Sequence, residues 1–354
     1  MRLHVPVMAR PGFACAIIGV LPARRPQPAN PRTFAMTSRR CAILDDYQNV
    51  ALKMADWSKV TGDVDIKVFK EHLGGHDNVI KALEGFDIIC AMRERTGFPR
   101  AVIEKLPDLK LLITTGMRNA SIDVAAAKER GIVVCGTSGV GNPTSGIAIG
   151  LMLELTRRIG YENARMKAGE RWQTTIGLDL EGLTLGVIGL GKLGTRTAQI
   201  AKAFGMKVIA WSQNLTPETC KEAGVDYAGK EDLFRQADFV TIHLVLSQRS
   251  RGLVGGKELG LMKPTAYIIN TSRGPIIDEA ALLAVLRDKK IAGAGLDVFD
   301  VEPLPTDHPL RKLDNVVLTP HLGYVATQNY RVYFDGVVGD IRAFLDGKPV
   351  RVLE

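Results

Sequence analysis

Apolar runs of strand length alternate with helical patterns along most of this 354-residue chain. The first group of runs begins at Cys41, Val64, Phe86, Leu109 and Ile132, and segments with apolar residues at helical spacing lie between them. Strands that are separated by single helices pair in parallel through right-handed crossovers. The alternation therefore predicts an α/β fold that starts with one doubly wound parallel sheet.

A second alternation of the same kind follows in the second half of the chain. Before it, helical spacing predicts one long helix over about Thr144–Met166 and a shorter one over Ser121–Arg130, with Ser121 as its cap. A last helical pattern, Tyr324–Leu345, is expected to return to the first sheet. A chain of this length can hold two domains with substantial cores. The runs expected to form the second sheet begin at Leu183, Val208, Phe239, Ala266, Ile291 and Asn315.

Residues 1–35 differ from the rest, because they hold five arginines, six of the 17 prolines and no acidic residue. Without these five charges the formal net charge falls from +8 to +3, so no nucleic-acid partner is expected. We expect this leader to be disordered, or to be a misassigned start before Met36. A secretory or organelle signal is the alternative, although its apolar run, Ala14–Leu21, is too short to span a membrane.

The five cysteines are widely scattered and include no CxxC pair. This spacing suggests neither a metal site nor a disulfide framework. Reduced, buried thiols are typical of a cytoplasmic protein, which is the location we expect.

A glycine fingerprint, Gly189, Gly191 and Gly194, follows an apolar strand pattern and precedes a helical one. The first glycine permits a tight turn, the second lets the backbone approach a pyrophosphate, and the third allows close packing of helix on strand. The phosphates would lie at the helix N-terminus, beside Lys192 and Leu193. Glycine-rich turns are common, but in this strand-turn-helix setting the pattern predicts dinucleotide binding.

Ser212 stands where NAD-binding proteins usually carry an Asp or Glu, about 20 residues after the fingerprint. The missing carboxylate removes the repulsion that would act on a 2'-phosphate. However, no lysine or arginine that could bind this phosphate follows before Lys221. The choice between NAD(H) and NADP(H) is therefore open, and we expect measurable use of both.

Three polar residues in the last third of the chain, Arg273, Glu302 and His321, each follow an apolar run that predicts a strand. Strand carboxyl ends in a doubly wound sheet face the ligand crevice, so the three side chains could meet there. A guanidinium grips a carboxylate, and an imidazole held by a carboxylate donates a proton. Singly they have plainer explanations as a surface arginine, a solvated carboxylate and a core histidine. Together they indicate reduction of a 2-oxo acid.

The segments Thr271–Leu282, Leu296–Pro303 and Thr319–Gly323, with the glycine fingerprint, resemble the D-isomer-specific 2-hydroxyacid dehydrogenases, including their phosphoglycerate dehydrogenase-like members. The resemblance implies an α/β fold of two doubly wound parallel-sheet domains, in which a Rossmann cofactor domain is inserted in a flavodoxin-like substrate domain. The expected divisions are a leader at 1–35, the substrate domain at 36–137, the NAD(P)-binding domain at 138–321 and a C-terminal return at 322–354.

The same resemblance implies roles for individual residues. It implies that the three polar residues named above are catalytic, that Asp297 binds the nicotinamide carboxamide, and that Thr271 lines the site of the nicotinamide half. It also implies a homodimer, in which the long helix near Gly150 and an arm around Trp172 pack across a two-fold axis.

Two stretches bear on the substrate. The family loop Gly-x-Gly-x-Asp-Asn-Ile-Asp, which offers backbone N–H groups to the substrate carboxylate, here starts at Gly116 and carries Met117 and then Arg118 at its second glycine. Arg93 and Arg95 match positions where some members bind anionic substrates, and a solvent-facing arginine pair is equally open. We expect Arg93, Met117 and Arg118 to contact the substrate with the catalytic arginine. The cluster of Arg93, Arg95 and Arg118 further leads us to expect that the substrate carries a second anionic group.

The sequence thus predicts an NAD(P)-dependent D-2-hydroxyacid dehydrogenase or 2-oxoacid reductase that works as a homodimer, without a metal, a nucleic-acid partner or a membrane. The alternative is a dinucleotide-sensing binding protein, like the corepressors built on the same fold. Steady turnover of any 2-oxo acid would discriminate between them.

Overall fold

The computed structural model describes residues 38–141 and 143–354. The predicted leader lies outside the described residues, as does Asn142. The described part contains two parallel β-sheets with helices packed around them. The alternation in the sequence therefore predicted the fold class correctly.

The first sheet has five strands in the order β2-β1-β3-β4-β5, and every neighbouring pair is parallel. This is the flavodoxin-like strand order. Its strands are β1 (Arg39–Ile43), β2 (Val64–Val68), β3 (Ile88–Ala91), β4 (Leu111–Thr114) and β5 (Val133–Gly136).

The second sheet has seven strands in the order β12-β11-β10-β9-β6-β7-β8, again all parallel. The chain order reverses between β6 and β9, which is the Rossmann switch point. The short edge strand β8 was not predicted. The strands are β6 (Thr184–Ile188), β7 (Lys207–Trp211), β8 (Asp226–Tyr227), β9 (Phe239–Ile242), β10 (Tyr267–Asn270), β11 (Gly293–Leu296) and β12 (Val316–Leu318).

Helices connect the strands, and short 3₁₀ turns lie at Trp57–Lys59, Gly274–Ile276 and Pro309–Lys312. The α-helices are α1 (Ala51–Met54), α2 (His76–Leu83), α3 (Arg100–Ile103), α4 (Val124–Glu129), α5 (Pro143–Arg157), α6 (Ile159–Lys167), α7 (Lys192–Ala203), α8 (Pro217–Glu222), α9 (Lys230–Gln236), α10 (Gly256–Leu261), α11 (Glu279–Arg287) and α12 (Thr327–Leu345).

Two helix predictions were wrong in detail. The long helix expected over Thr144–Met166 is broken into α5 and α6, because the backbone of Arg158 adopts φ 48°, in the left-handed region that a right-handed helix cannot continue through. The cap of α4 is Asp123 rather than Ser121, since the Asp123 carboxylate accepts a 2.8 Å hydrogen bond from the backbone N–H of Ala126. Helical spacing alone shows neither the break nor the choice of cap.

The C-terminal helix α12 covers one face of the first sheet. Its side chains Phe334, Val337 and Ile341 are buried in one cluster with Ile43 of β1 and with Trp57. Burial of each such apolar side chain stabilises the fold by roughly 1.5–3 kcal/mol. The domain boundaries themselves remain a prediction. Within the described ranges, no helix is both long enough and apolar enough to cross a membrane.

Candidate active site

The glycine fingerprint lies at the switch point of the second sheet. Gly189 follows β6 with φ 98°, and a Cβ atom placed on it would lie 2.7 Å from the carbonyl oxygen of His243, which follows β9. A Cβ atom on Gly194 would lie 2.0 Å from the carbonyl oxygen of Gly189. Side chains at these two positions would therefore push apart the turn, the neighbouring strand end and the helix.

The N-terminus of α7 is open toward the crevice. Gly191 caps the helix, and a Cβ atom on it would meet nothing within 4 Å, so there is room for a phosphate group against the backbone. Lys192 and Leu193 form the first turn of the helix. Ser212 directly follows β7, the neighbouring strand, and is half-buried.

Two buried polar atoms near this crevice have no hydrogen-bond partner among the described residues: Thr271 Oγ1 and His243 Nδ1. Burial lowers the pKa of His243 to about 4, so its imidazole is neutral at physiological pH. Unsatisfied buried polar atoms are costly unless a ligand supplies the missing partner. Together with the open helix N-terminus, they fit a bound dinucleotide.

Adjacent strands position Arg273, Glu302 and His321. The strands β10, β11 and β12 lie side by side, and the three residues follow them in that order. Parallel strands end at the same edge of a sheet, so the three loops lie next to one another.

The structure brings His321 and Glu302 into direct contact. His321 Nδ1 lies 2.6 Å from Glu302 Oε2, while Glu302 Oε1 accepts a 2.9 Å hydrogen bond from the backbone N–H of Phe299. Burial acts to raise the pKa of Glu302, but the hydrogen bond and charge of His321, the N–H of Phe299 and the charge of Arg273 outweigh it and lower the pKa. Glu302 is therefore an ionised partner that holds the imidazole by Nδ1 and leaves Nε2 for another contact.

Asp297 holds the loop that carries His321. Its carboxylate is fully buried and accepts hydrogen bonds from Thr319 Oγ1 (2.6 Å) and from the backbone N–H groups of Leu322 (2.7 Å) and Gly323 (2.8 Å). Burial raises its pKa, although these hydrogen bonds act in the opposite direction. His321 itself has φ 52°, a strained conformation that such a framework stabilises. This loop-holding contact was not predicted from the sequence.

Arg273 is already paired with a carboxylate. Its Nη2 donates a 2.8 Å hydrogen bond to Glu94 Oε1, and its Nη1 donates a 2.7 Å hydrogen bond to the carbonyl of Ser272. The guanidinium of Arg93 lies on the other side of this carboxylate, 3.6 Å from Glu94 Oε2. The sequence reasoning missed Glu94. The signal that could have found it is its position in the sequence between Arg93 and Arg95, which both match positions that bind anionic substrates in some family members.

A cavity of about 480 Å³ opens beside the His321–Glu302 pair. Its lining includes both of these side chains and, from the first sheet, Glu94, Arg95 and His72. Volumes of about 300–1,000 Å³ are usual for small-molecule sites.

All four residues expected to contact the substrate lie outside the lining of this cavity, although Glu94, the ion-pair partner of Arg273, is part of it. Arg93 donates a 3.1 Å hydrogen bond to the carbonyl of Thr115 and packs against Gly116, whereas Met117 and Arg118 are exposed. Their contact with the substrate stays a prediction. Arg95, the other arginine of its pair, does line the cavity.

The sequence matches a known family over the half of the chain that carries this crevice. The family model described as "D-isomer specific 2-hydroxyacid dehydrogenase, NAD binding domain" matches residues 149–323. This range includes the glycine fingerprint and the loops of Arg273, Glu302 and His321.

Individual relatives extend the match to the first sheet. A glyoxylate reductase from Thermococcus litoralis is 38% identical over 259 residues, which cover 70% of this chain and 78% of that protein. A hydroxypyruvate reductase from Thermotoga maritima is 39% identical over 265 residues, 73% of this chain and 84% of that protein. The solved structure of a phosphoglycerate oxidoreductase from Vibrio cholerae superposes with a TM-score of 0.83 at 33% identity, covering 87% of this chain and 99% of that one.

Proposed function

The chain belongs to the D-isomer specific 2-hydroxyacid dehydrogenase family, and from this premise we propose that it reduces a small 2-oxo acid at the cavity beside His321. It is an NAD(P)-linked oxidoreductase that acts on 2-hydroxy and 2-oxo acids. The observation that carries the assignment of the site is the 2.6 Å contact between His321 Nδ1 and Glu302 Oε2 in the cavity wall.

The proposed roles of the polar residues follow from these contacts. When bound, the nicotinamide ring supplies or accepts the hydride. Arg273 binds the substrate carboxylate and polarises the keto oxygen beside it. In the reductive direction, His321 donates a proton from Nε2 to that oxygen, because Nδ1 is held by Glu302. In oxidation, His321 accepts the proton instead.

The residues proposed to hold the dinucleotide surround the switch point. Gly189, Gly191 and Gly194 shape the turn, and the first turn of α7, with Lys192 and Leu193, meets the phosphates. Ser212 meets the adenosine ribose. Thr271 and Asp297 contact the nicotinamide end. The Asp297 carboxylate, which accepts hydrogen bonds from the backbone of the His321 loop, would also accept one from the carboxamide N–H.

The experiment is an assay of NADH and NADPH oxidation with glyoxylate, hydroxypyruvate, 2-oxoglutarate and phosphohydroxypyruvate. We expect turnover with at least one acid, and loss of turnover in His321→Ala. The matched control is His308→Ala, because His308 also pairs with a carboxylate, Glu279 at 3.2 Å, but lies outside the cavity lining. Absence of turnover with every acid and both cofactors, or an active His321→Ala variant, would contradict the proposed function.

A homodimer is part of the proposal. The arm after α6 exposes large apolar side chains, with Trp172 68% and Ile176 fully exposed, and Tyr161 and Met166 of α6 are exposed as well. Several large exposed apolar side chains along one segment suit a contact site between proteins. Sedimentation should therefore detect a dimer for the wild type and a monomer for Trp172→Ala/Ile176→Ser, whereas Leu52→Ala, at an exposed apolar residue of α1, should stay dimeric.

The proposed location is cytoplasmic. The four described cysteines, Cys41, Cys90, Cys135 and Cys220, are all buried and free, which suits a reducing compartment. Microscopy of the full chain with a C-terminal fluorescent tag would test this.

A further inference from the structure

The carboxylate of Glu94 lies between two arginine side chains, but only one of them is hydrogen-bonded to it. Glu94 Oε1 accepts the 2.8 Å hydrogen bond from Arg273 Nη2. On the other side, Arg93 Nη2 lies 3.6 Å from Glu94 Oε2, just beyond hydrogen-bonding distance. Oε2 is buried and accepts no hydrogen bond from the described residues. One oxygen of this carboxylate is therefore bonded, and the other has an unused donor close to it.

Contacts with the loops after β4 hold Arg93 in place beside this carboxylate. Its Nη1 donates a 3.1 Å hydrogen bond to the carbonyl of Thr115, and its backbone N–H donates one of 2.9 Å to Thr115 Oγ1. Its own carbonyl accepts a 2.7 Å hydrogen bond from Asn119 Nδ2. The backbone of Arg93 has φ 52°, a strained conformation that these contacts stabilise. Arg93 Nη2 makes no hydrogen bond to the described residues, so a donor in a fixed position is free for Glu94.

A substrate changes the balance of charges at Arg273. Its carboxylate takes the donor that Glu94 uses, and two carboxylates side by side repel each other. The side chains of Glu94 and Arg93 are each only 22% exposed, so water replaces a lost partner poorly. A shift of Glu94 Oε2 by about 0.7 Å toward Arg93 would give a hydrogen bond of ordinary length.

We propose that Glu94 is a movable carboxylate that pairs with Arg273 in the free enzyme and with Arg93 when the substrate carboxylate occupies Arg273. This proposal rests on the proposed function, because the substrate carboxylate is assigned to Arg273. In the bound state two arginines serve two carboxylates. Arg93 is then a positioning residue that acts on substrate binding through Glu94, in place of the direct contact expected from the sequence.

The two side chains should therefore have opposite effects on substrate affinity. Glu94→Gln removes the charge that competes for Arg273, so the substrate binds more tightly. Arg93→Gln leaves the displaced Glu94 carboxylate without a partner beside the substrate, so the substrate binds more weakly. When residue 94 is already a glutamine, no carboxylate needs Arg93, and the loss of Arg93 should have little effect.

The test is a double-mutant cycle of Arg93→Gln and Glu94→Gln, measured with saturating NADH and the 2-oxo acid that the wild type turns over best. Arg93→Gln alone should raise KM by roughly 5- to 100-fold, because a partly buried charge loses its partner, and change kcat by less than about threefold. Added to Glu94→Gln, it should change KM by less than about threefold. Arg93→Lys keeps the cation and should have a KM closer to that of the wild type.

The matched control is Arg100→Gln. Arg100 also pairs with a carboxylate, Glu129 at 2.6 Å, but both residues lie outside the cavity lining. Its KM and kcat should equal those of the wild type. The same increase of KM on loss of Arg93 in both backgrounds would show that Arg93 contacts the substrate itself, and would overturn the proposal. An unchanged KM in Arg93→Gln alone would also overturn it.

Binding of oxamate, an unreactive analogue of a 2-oxo acid, gives a second measurement that needs no turnover. Titration of NADH fluorescence should give dissociation constants that follow the same pattern across the cycle. Absence of turnover with every acid would contradict the proposed function, and the oxamate cycle would then still decide whether Glu94 moves to Arg93. Failure of oxamate to bind to the wild type as well would overturn both.

Discussion

Arg273 and Glu94 form an ion pair that joins the loop after β10 to the loop after β3, with 2.8 Å between Nη2 and Oε1. The guanidinium proposed to bind the substrate carboxylate therefore already has a carboxylate partner. A 2-oxo acid has to compete with Glu94 for it. The buried Oε2 of Glu94 makes no hydrogen bond to the described residues, and its nearest cation is Arg93 at 3.6 Å.

Glu94→Gln should lower KM for the 2-oxo acid, since it removes the competing charge. Partly exposed ion pairs contribute about 0–1 kcal/mol, so the expected decrease is at most about fivefold, with kcat little changed. Steady-state kinetics with a saturating cofactor measure both constants. A raised KM together with a lowered kcat would show instead that Glu94 orients Arg273 for binding.

His321→Ala should lower kcat by about 10²–10⁴, because the proton donor is lost. Affinity for NADH should stay unchanged, since no proposed cofactor contact involves the imidazole. Single-turnover kinetics and titration of NADH fluorescence separate the two effects. Near-normal turnover in this variant would show that another group donates the proton.

Glu302→Gln should move the alkaline fall of the reduction rate to lower pH. The pKa of Glu302 is lowered, so its charge is present above the ordinary value of 4.5 and is lost only as the pH falls through the lowered pKa. Across the neutral and alkaline range the wild type therefore keeps a carboxylate that favours the proton-donating form of His321. Losing it should move the alkaline limb of the profile to lower pH, which the pH dependence of kcat measures. An unchanged profile would contradict this role.

Ser212→Asp should shift cofactor preference toward NADH by roughly tenfold, which corresponds to about 1.4 kcal/mol. The new carboxylate accepts from the ribose hydroxyls of NADH and repels the 2'-phosphate of NADPH. The ratio of kcat/KM for the two cofactors measures the shift, and the wild type should use both within about 100-fold. A wild type that rejects NADPH by several orders of magnitude would show that other residues read the ribose.

Asp340 of α12 should make the fold less stable as the pH rises. The side chain is fully buried, and burial raises its pKa from 3.8 to about 7, although Arg351 lies 2.7 Å away and acts in the opposite direction. The folded state therefore binds this proton more tightly than the unfolded state, and the stabilisation is lost as the pH rises toward and through 7. Urea unfolding should show that the free energy of unfolding decreases less between pH 5 and pH 8 for Asp340→Asn than for the wild type. Equal decreases in the two proteins would contradict a raised pKa of Asp340.

Local patterns in the sequence determined the fold class and much of the candidate site. Strand-length runs that alternate with helices leave parallel pairing as the available arrangement, and loops after adjacent parallel strands meet at one edge. That is why Glu302 and His321, 19 residues apart, could be predicted to touch. The close approach required at Gly194 was likewise readable, because only glycine fits there.

Tertiary structure decided what the substrate cavity contains. Glu94 and Arg273 are 179 positions apart, and Arg95 reaches Tyr324 across 229 positions, so no local periodicity couples them. These pairs form because loops of the two sheets pack against each other. Each side chain then makes an ion pair or a hydrogen bond with a group of the opposite loop. The break at Arg158 has the same origin, since its unfavourable backbone conformation persists only where surrounding contacts compensate for it.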